Sequence, residues 1–364
     1  MERRVAVVSD VMMGYGGAER VVEELLNIFP SADLYTLFIV PSAREKLKEK
    51  YPKTVVHTSI FQAFINKDEV SKYVSIIKFF SWIYWEIVDL KRYYLIISSS
   101  HSFMSKNVKK GKNAFHLAYI HTPPRYLYKE FCEIGIIRSF PLNVILWPIM
   151  EFLRWIDRRG SKKPNVLVAN SKNVQSRIRK YYELESVVIY PPVEVFSQER
   201  LKGNYFVCLS RLVKQKGIDL AVKVCSKNNI PLVVIGDGDE MVNLRKISGS
   251  TIKFVGNCED IEKFKILAEA KALIYTSREE DFGMVPVEAL KVGTPVIAYN
   301  SGGVGETVVD GKNGVMFDDF SEISLDRAIE RFNRLKISVS MCKKSVKKFS
   351  TNIFRKKIMN LIPE

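Results

Sequence analysis

Val5–Ser9 is a short apolar run closed by Asp10 and a glycine-rich loop. Ala18–Phe29 then carries apolar residues at Val21, Val22, Leu25, Leu26 and Phe29, the spacing of one helix face. Leu34–Val40 is strand-like again, so the chain opens as strand, glycine loop, helix, strand, the start of a βαβ unit with a parallel sheet. Leu95–Ser98 and Phe115–Ile120 are further strand candidates.

A second α/β series starts near Asn165. Its strand candidates are Val166–Ala169, Val187–Tyr190, Tyr205–Leu209, Leu232–Ile235, Ile252–Val255, Ala272–Tyr275 and Val296–Ala298, with helical patterns between most of them. Ser171 reads as a helix N-cap and Gly293 as the glycine that ends a helix. β-then-α order met twice implies an α/β chain of two doubly wound domains. The polar stretch "RRGSKKPN" sets the expected boundary near Gly160–Asn165, giving domains 1–164 and 165–345. The tail Lys343–Lys357 is basic and helical in pattern.

Composition leaves this picture standing. The 364 residues suit two domains, and 47% hydrophobic with 26% charged residues is ordinary for a globular chain. No apolar leader opens the sequence. The apolar stretches Ser71–Asp89 and Ser139–Ile156 are broken by Lys78, Glu86, Pro141, Pro148, Glu151 and Arg154, so neither reads as a membrane span. Five scattered cysteines, Cys132, Cys208, Cys225, Cys258 and Cys342, without a CxxC pair, read as free thiols in a reducing compartment; no metal site is expected. Charge changes more. Of the net +16, residues 44–163 hold 22 Lys/Arg against 10 Asp/Glu, a net of +12, together with Trp82, Trp85, Trp147 and Trp155. Such a mixture suits an anionic membrane surface or a nucleic acid, and equally a solvated basic face over an aromatic core.

In open parallel sheets ligands bind at the carboxyl ends of strands, so the residues just after strands are the ones to read. "DVMMGYGGAER" follows the first strand. Gly14, Gly16 and Gly17 permit close approach to a helix N-terminus, favouring a phosphate or polar substrate, although Glu19 breaks the dinucleotide fingerprint. His121 ends Phe115–Ile120 and is held by Pro123 and Pro124; a lone histidine is more often structural, but the strand end suits a ligand. Arg211 and Lys216 flank the loop leading to the helix Gly217–Lys227, a pairing that opposes the charge of a diphosphate. Asp237 and Asp239 in "GDGDE" fit a Gly/Asp turn better than a metal pair. In "TSREEDFGMVPVEALKVG", Pro286 reads as the opening of a helix with Glu288 in its first turn. Glu280 stands at the loop start, and the N–H groups of Phe282, Gly283, Met284 and Val285 point toward the same space. Gly302 and Gly303 read as a second phosphate-friendly loop.

"EDFGMVPVE", Glu280 and Glu288 seven residues apart, joins "EALKVGTPVIA", "GGVGETVVDGKNGVMF", "GGAERVVEELL", "HTPPRYLY", "ANSKNVQSRI", "VIYPPVE" and "SRLVKQKGID". This ordered set, from about Gly14 to Phe317, resembles the signature of retaining GT-B glycosyltransferases of family four, the glycosyltransferase group 1. The resemblance implies two Rossmann-like domains with an interdomain cleft and a nucleotide-sugar donor on the C-terminal domain. It implies that Glu280 contacts the donor sugar, Glu288 the ribose, and Arg211 and Lys216 the diphosphate. It puts Gly16 and Gly17 in the N-domain loop and His121 near the reaction centre. No cofactor or bound metal is implied, and residues 346–364 are expected to return to the N-domain as a helix. "GGAER" with "HTPPRYLY" looks most like mannosyltransferases that use GDP-mannose.

The resulting expectation is hexosyl transfer, with mannose from GDP-mannose, to a saccharide or polyprenyl-linked acceptor in polysaccharide biosynthesis. The location expected is cytoplasmic, with peripheral contact at an anionic membrane. A UDP-sugar donor, a nucleotide-sugar epimerase of the same fold and a basic nucleic-acid-binding protein are the alternatives; no recognisable nucleic-acid motif accompanies the charge.

Overall fold

The computed structural model describes residues 4–14, 16–65, 71–128, 142–196, 198–201 and 203–363. Cys132 and Tyr15 lie outside them. The chain divides into two compact units, residues 1–192 with 354–364, and residues 193–353.

The first unit holds β1 (Val5–Ser9), α1 (Gly17–Ile28), β2 (Asp33–Thr36), α2 (Pro41–Lys50), β3 (Val56–Thr58), α3 (Ser71–Ile87), β4 (Asp89–Leu90), β5 (Leu95–Ser100), β6 (Lys109–Lys110), β7 (Phe115–Ile120), α4 (Leu142–Ser161), β8 (Val166–Ala169), α5 (Lys172–Tyr182) and β9 (Val187–Val188). β4 and β6 form a small parallel ribbon, and the other seven strands form one parallel sheet, ordered β3-β2-β1-β5-β7-β8-β9. The central strands are apolar and buried on both faces, as a helix-covered parallel sheet requires. Ser171 caps α5 by accepting the Val174 N–H at 3.0 Å.

The second unit holds β10 (Phe206–Leu209), α6 (Ile218–Lys227), β11 (Leu232–Ile235), α7 (Met241–Lys246), β12 (Ile252–Gly256), α8 (Asp260–Glu269), β13 (Leu273–Tyr275), α9 (Met284–Val292), β14 (Val296–Tyr299), β15 (Gly314–Phe317), α10 (Glu322–Arg334) and α11 (Val339–Ser345). Its six parallel strands run β12-β11-β10-β13-β14-β15. Numbered within the unit this is 3-2-1-4-5-6, the doubly wound order. The first sheet follows the same order with one strand added at its far edge. Each sheet therefore has one point where strand order reverses, between β1 and β5 and between β10 and β13.

Two expectations need correction. The boundary lies at 192/193 and not at Gly160–Asn165. β8 pairs with β7 and β9 with β8, so the βαβ unit after Asn165 completes the first sheet. A polar Gly/Pro stretch marks a loop, and a loop does not reveal which sheet the next strand joins. The tail is also two helices: α11 ends at Ser345 and α12 (Thr351–Met359) follows. Phe354 and Ile358 of α12 are buried in the first unit's core beside Tyr119, and Arg355 pairs with Glu24 of α1.

Candidate active site

At the reversal point of the second sheet, the loops after β10 and β13 meet. The first turns through Lys214–Lys216 into Gly217, whose φ of +61° begins α6. A Cβ on Gly217 would stand 2.6 Å from the Phe320 ring and 2.8 Å from the Thr276 carbonyl, so only glycine fits there. The two loops are tied by the Arg278 N–H to the Gln215 carbonyl at 3.0 Å and the Thr276 hydroxyl to the Lys216 carbonyl at 3.0 Å.

This frame brings Lys216 and Glu280 together. Glu280 Oε2 accepts from Lys216 Nζ at 2.7 Å, the Tyr275 hydroxyl at 2.5 Å and the Ser277 hydroxyl at 2.8 Å. Burial alone would raise the Glu280 pKa; the Lys216 ammonium and these hydrogen bonds outweigh it and hold the carboxyl down at about 2. Glu280 is thus a fixed anion. Arg211 stands on the same β10 loop, exposed, with no ion pair among the described residues.

Gly302 and Gly303 serve this loop differently from the expectation. A Cβ on Gly302 would lie 2.1 Å from the Glu280 carbonyl, and one on Gly303 2.3 Å from the Asp281 carbonyl; the Gly303 N–H donates to the Glu280 carbonyl at 2.7 Å. Their backbone lies against the acidic loop itself, and that packing accounts for both glycines. Glu279, exposed, takes φ +57° and donates its N–H to the Ser301 hydroxyl. Phe282 is buried edge-on against Phe349 at 5.2 Å, which anchors the loop before α9.

α9 begins at Met284 after Gly283 (φ +87°), two residues before Pro286. Glu288 is therefore its fifth residue, beyond the first turn. Proline is tolerated at the third position because its missing N–H would have no intrahelical partner. For the same reason the N–H groups of Gly283, Met284 and Val285 have no acceptor within the helix. Glu288 is buried with Oε1 3.6 Å from Lys263 Nζ of α8, so a ribose hydroxyl there would share the carboxylate with an internal cation.

Asp237 and Asp239 are exposed in a turn whose glycines, Gly236 and Gly238, pack on the carbonyls of Ser210 and Leu212. No group of three His, Cys, Asp or Glu that could hold a metal ion occurs among the described residues.

The first unit repeats the logic with different groups. Asp10, buried at the end of β1, accepts the N–H groups of His101 (2.7 Å), Phe103 (2.9 Å) and Ser105 (2.8 Å) beyond β5. Its Oδ2 also lies 3.2 Å from His101 Nδ1. His121, at the end of β7, is bonded to the Ser99 hydroxyl at 2.8 Å, with its ring 6.3 Å from that of His101. Burial, then the neighbouring His101, lowers the His121 pKa to about 3, so the ring is neutral near pH 7. Gly16 caps α1, and a Cβ there would meet the Glu19 carboxylate at 2.4 Å. Glu19 folds back to accept the Met13 N–H at 3.3 Å, and burial raises its pKa. The carboxyl beside Gly16 and Gly17 thus belongs to the protein, and a phosphate at this helix end would meet it. Neither Asp10, read only as the residue closing the first strand, nor His101 was among the expected site residues, although both directly follow strands.

"Glycosyltransferase Family 4" matches residues 15–195 and "Glycosyl transferases group 1" matches residues 191–349. Together they span nearly the whole chain. The chain belongs to the group 1, family 4 glycosyltransferases, and its two α/β units have their GT-B fold. It is 23% identical to the alpha-1,3/1,6-mannosyltransferase ALG2 of Saccharomyces cerevisiae, over 81% of this chain and 69% of that protein. It is 28% identical to an uncharacterised glycosyltransferase of Methanocaldococcus jannaschii, over 45% of this chain and about half, 48%, of that protein. Among solved structures, HepE of Anabaena in complex with UDP superposes with a TM-score of 0.70 at 16% identity, covering 98% and 99% of the two chains. Sucrose-phosphate synthase of Thermosynechococcus elongatus gives 0.72 at 15%, covering 99% and 98%.

Proposed function

We propose that this glycosyltransferase is a retaining hexosyltransferase that moves mannose from GDP-mannose to a saccharide or lipid-linked saccharide acceptor. The observation that carries the reading is the Lys216–Glu280 pair at the reversal point of the second sheet. A diphosphate there meets the Lys216 ammonium, the Arg211 guanidinium and the N–H groups at the start of α9. Glu280 and the strand-end hydroxyls offer acceptors and donors to the sugar.

In the step, the bond between the anomeric carbon and the diphosphate oxygen breaks, and charge builds on the leaving group. Lys216, Arg211 and the helix N–H groups oppose that charge without rearranging, the kind of preorganisation that carries much of enzymatic rate enhancement. The acceptor oxygen bonds to the anomeric carbon on the face the diphosphate leaves, and the leaving phosphate takes the hydroxyl proton. The cationic role falls to side chains, so the reading calls for no metal ion. His121 and Gly16–Gly17 belong to the acceptor side.

Mannose is supported by the ALG2 relatives of yeast and human and by the "GGAER" and "HTPPRYLY" motifs. A UDP-sugar is the second reading, favoured by the UDP complex of the HepE neighbour. Donor hydrolysis and transfer measured across GDP-mannose, UDP-glucose, UDP-galactose and UDP-N-acetylglucosamine decide between them. Turnover of GDP-mannose with an α-linked product supports the reading; turnover of a UDP-sugar alone, or a β-linked product, overturns it.

A further inference from the structure

α3 and α4 each turn a row of large apolar side chains to solvent. On α3 the row is Ile76, Phe80, Ile83 and Ile87, at intervals of four, three and four residues, one face of a helix. On α4, Phe152 and Trp155 continue from Trp147 and Ile149. These eight residues are 41–72% exposed. The rows adjoin: the Trp82 ring of α3 meets Phe152 edge-on at 5.8 Å, and Phe152 stacks on Trp155. Ordinary surfaces scatter such residues singly; a row on each of two neighbouring helices marks an interaction surface.

The rows are not slack packing. Beneath α4, Asp157 forms a buried ion pair with Lys106 and accepts the Tyr128 hydroxyl at 2.8 Å, and Gly160 fits against Asn107. Both helices rest on the turn Ser105–Asn107. The Asp157 and Gly160 contacts occupy the inward side of α4 near its C-terminal end.

We infer that the α3–α4 face is a seat for an anionic lipid bilayer, on which the enzyme lies without crossing it. Charge selects this occupant. Arg158, Arg159 and Lys162 are exposed where α4 ends, Arg159 sits over the Trp155 ring at 5.5 Å, and Lys109 is exposed beside Glu86. The surrounding residues 44–163 carry the net +12. A second copy would bring two like-charged rims together, whereas anionic headgroups complement the rim while apolar side chains enter the acyl boundary. Exposed tryptophans suit that boundary. No helix among the described residues is long and apolar enough to cross a membrane.

The test is flotation of the full chain with phosphatidylcholine–phosphatidylglycerol vesicles at low and high salt, against pure phosphatidylcholine vesicles. The wild type floats with the anionic vesicles at low salt, and less at high salt. Phe152→Ser/Trp155→Ser and Ile83→Ser/Ile87→Ser, whose side chains are exposed and leave the core intact, each lower the partition coefficient about tenfold or more. Arg158→Glu/Arg159→Glu lowers it only on anionic vesicles. Failure of the wild type to float at low salt overturns the inference, as do unaffected apolar variants, or a dimer in sedimentation that Phe152→Ser/Trp155→Ser dissociates. Activity on a water-soluble acceptor separates this from the transferase reading: an active chain that ignores vesicles removes the seat alone.

Discussion

Glu280→Gln tests the centre of the site. The substitution keeps the shape of the side chain and removes its charge, leaving the Lys216 ammonium beside a neutral amide. The Glu280 pKa is held at about 2 against an ordinary 4.5. At about 1.4 kcal/mol per pKa unit, the ionised carboxylate contributes about 3 kcal/mol to the second unit. Glu280 is only 18% exposed and Lys216 22%, so solvent screens the pair weakly. A depressed acid stabilises the fold above its unfolded pKa, and the contribution fades as pH falls from 4.5 toward 2. For a unit of this size the loss lowers the melting temperature at pH 7 by roughly 6–12 °C. Calorimetry of wild type and variant between pH 7 and pH 3 reads both effects: the variant melts lower at pH 7, and the gap narrows below pH 4.5. A variant that melts with the wild type at pH 7, or a gap unchanged at pH 3, refutes the assignment.

Lys216→Ala removes the cation proposed to face the leaving diphosphate; kcat/KM in the donor assay falls by about 10²–10³ while circular dichroism keeps its folded form, and near-normal turnover defeats the role. Gly302→Ala puts a Cβ 2.1 Å from the Glu280 carbonyl at φ +62°, so the loop must shift: both activity and the melting temperature of the second unit fall, and an unchanged variant contradicts the packing account. His116, buried in β7 with Nε2 2.8 Å from the Ser98 hydroxyl, has a pKa lowered to about 3 by burial, then by Lys110. The unfolded chain takes up its proton near pH 6.5 and the folded one does not, so this ring alone removes about 2 kcal/mol of stability between pH 7 and pH 5. Chemical denaturation at the two pH values shows a smaller drop in His116→Asn; an identical drop counts against the buried neutral ring.

Long apolar runs made most of the fold legible. Phe115–Ile120, Val166–Ala169 and Leu232–Ile235 have the bounds that their largely apolar runs suggest, because parallel strands buried on both faces read as near-continuous apolar segments. β3 escaped because Val56–Thr58 is a three-residue edge strand with a histidine and a threonine, and β15, Gly314–Phe317, because its edge strand opens on a glycine straight after the turn "DGKN". The domain boundary escaped because pairing partners leave no local mark. At the site, Lys216 and Glu280 followed from their places after strands. Asp10 and His101 met the same rule, but the glycines beside Asp10 drew the reading toward phosphate. That reading mistook two kinds of glycine. Gly16 makes room for a carboxylate of its own helix, and Gly302 and Gly303 for the backbone of a neighbouring loop; neither need is visible before the loops are placed side by side.

Each of the two protonation states limits the chemistry its own unit can supply. A carboxyl with a pKa near 2 carries almost no proton at neutral pH, so Glu280 is a poor general acid for the departing diphosphate and a weak base for the acceptor hydroxyl. An imidazole with a pKa near 3 is neutral there, so His121 can accept or donate a hydrogen bond but holds no proton to give away. What remains is charge fixed in position: an ammonium oriented by a carboxylate whose other partners are Tyr275 and Ser277. In the proposed reaction a diphosphate shares the Lys216 ammonium with Glu280, whose carboxylate also accepts the Tyr275 and Ser277 hydroxyls. Those two hydroxyls leave the carboxylate hydrogen-bonded when its cation is shared, which lowers the cost of a half-paired buried anion.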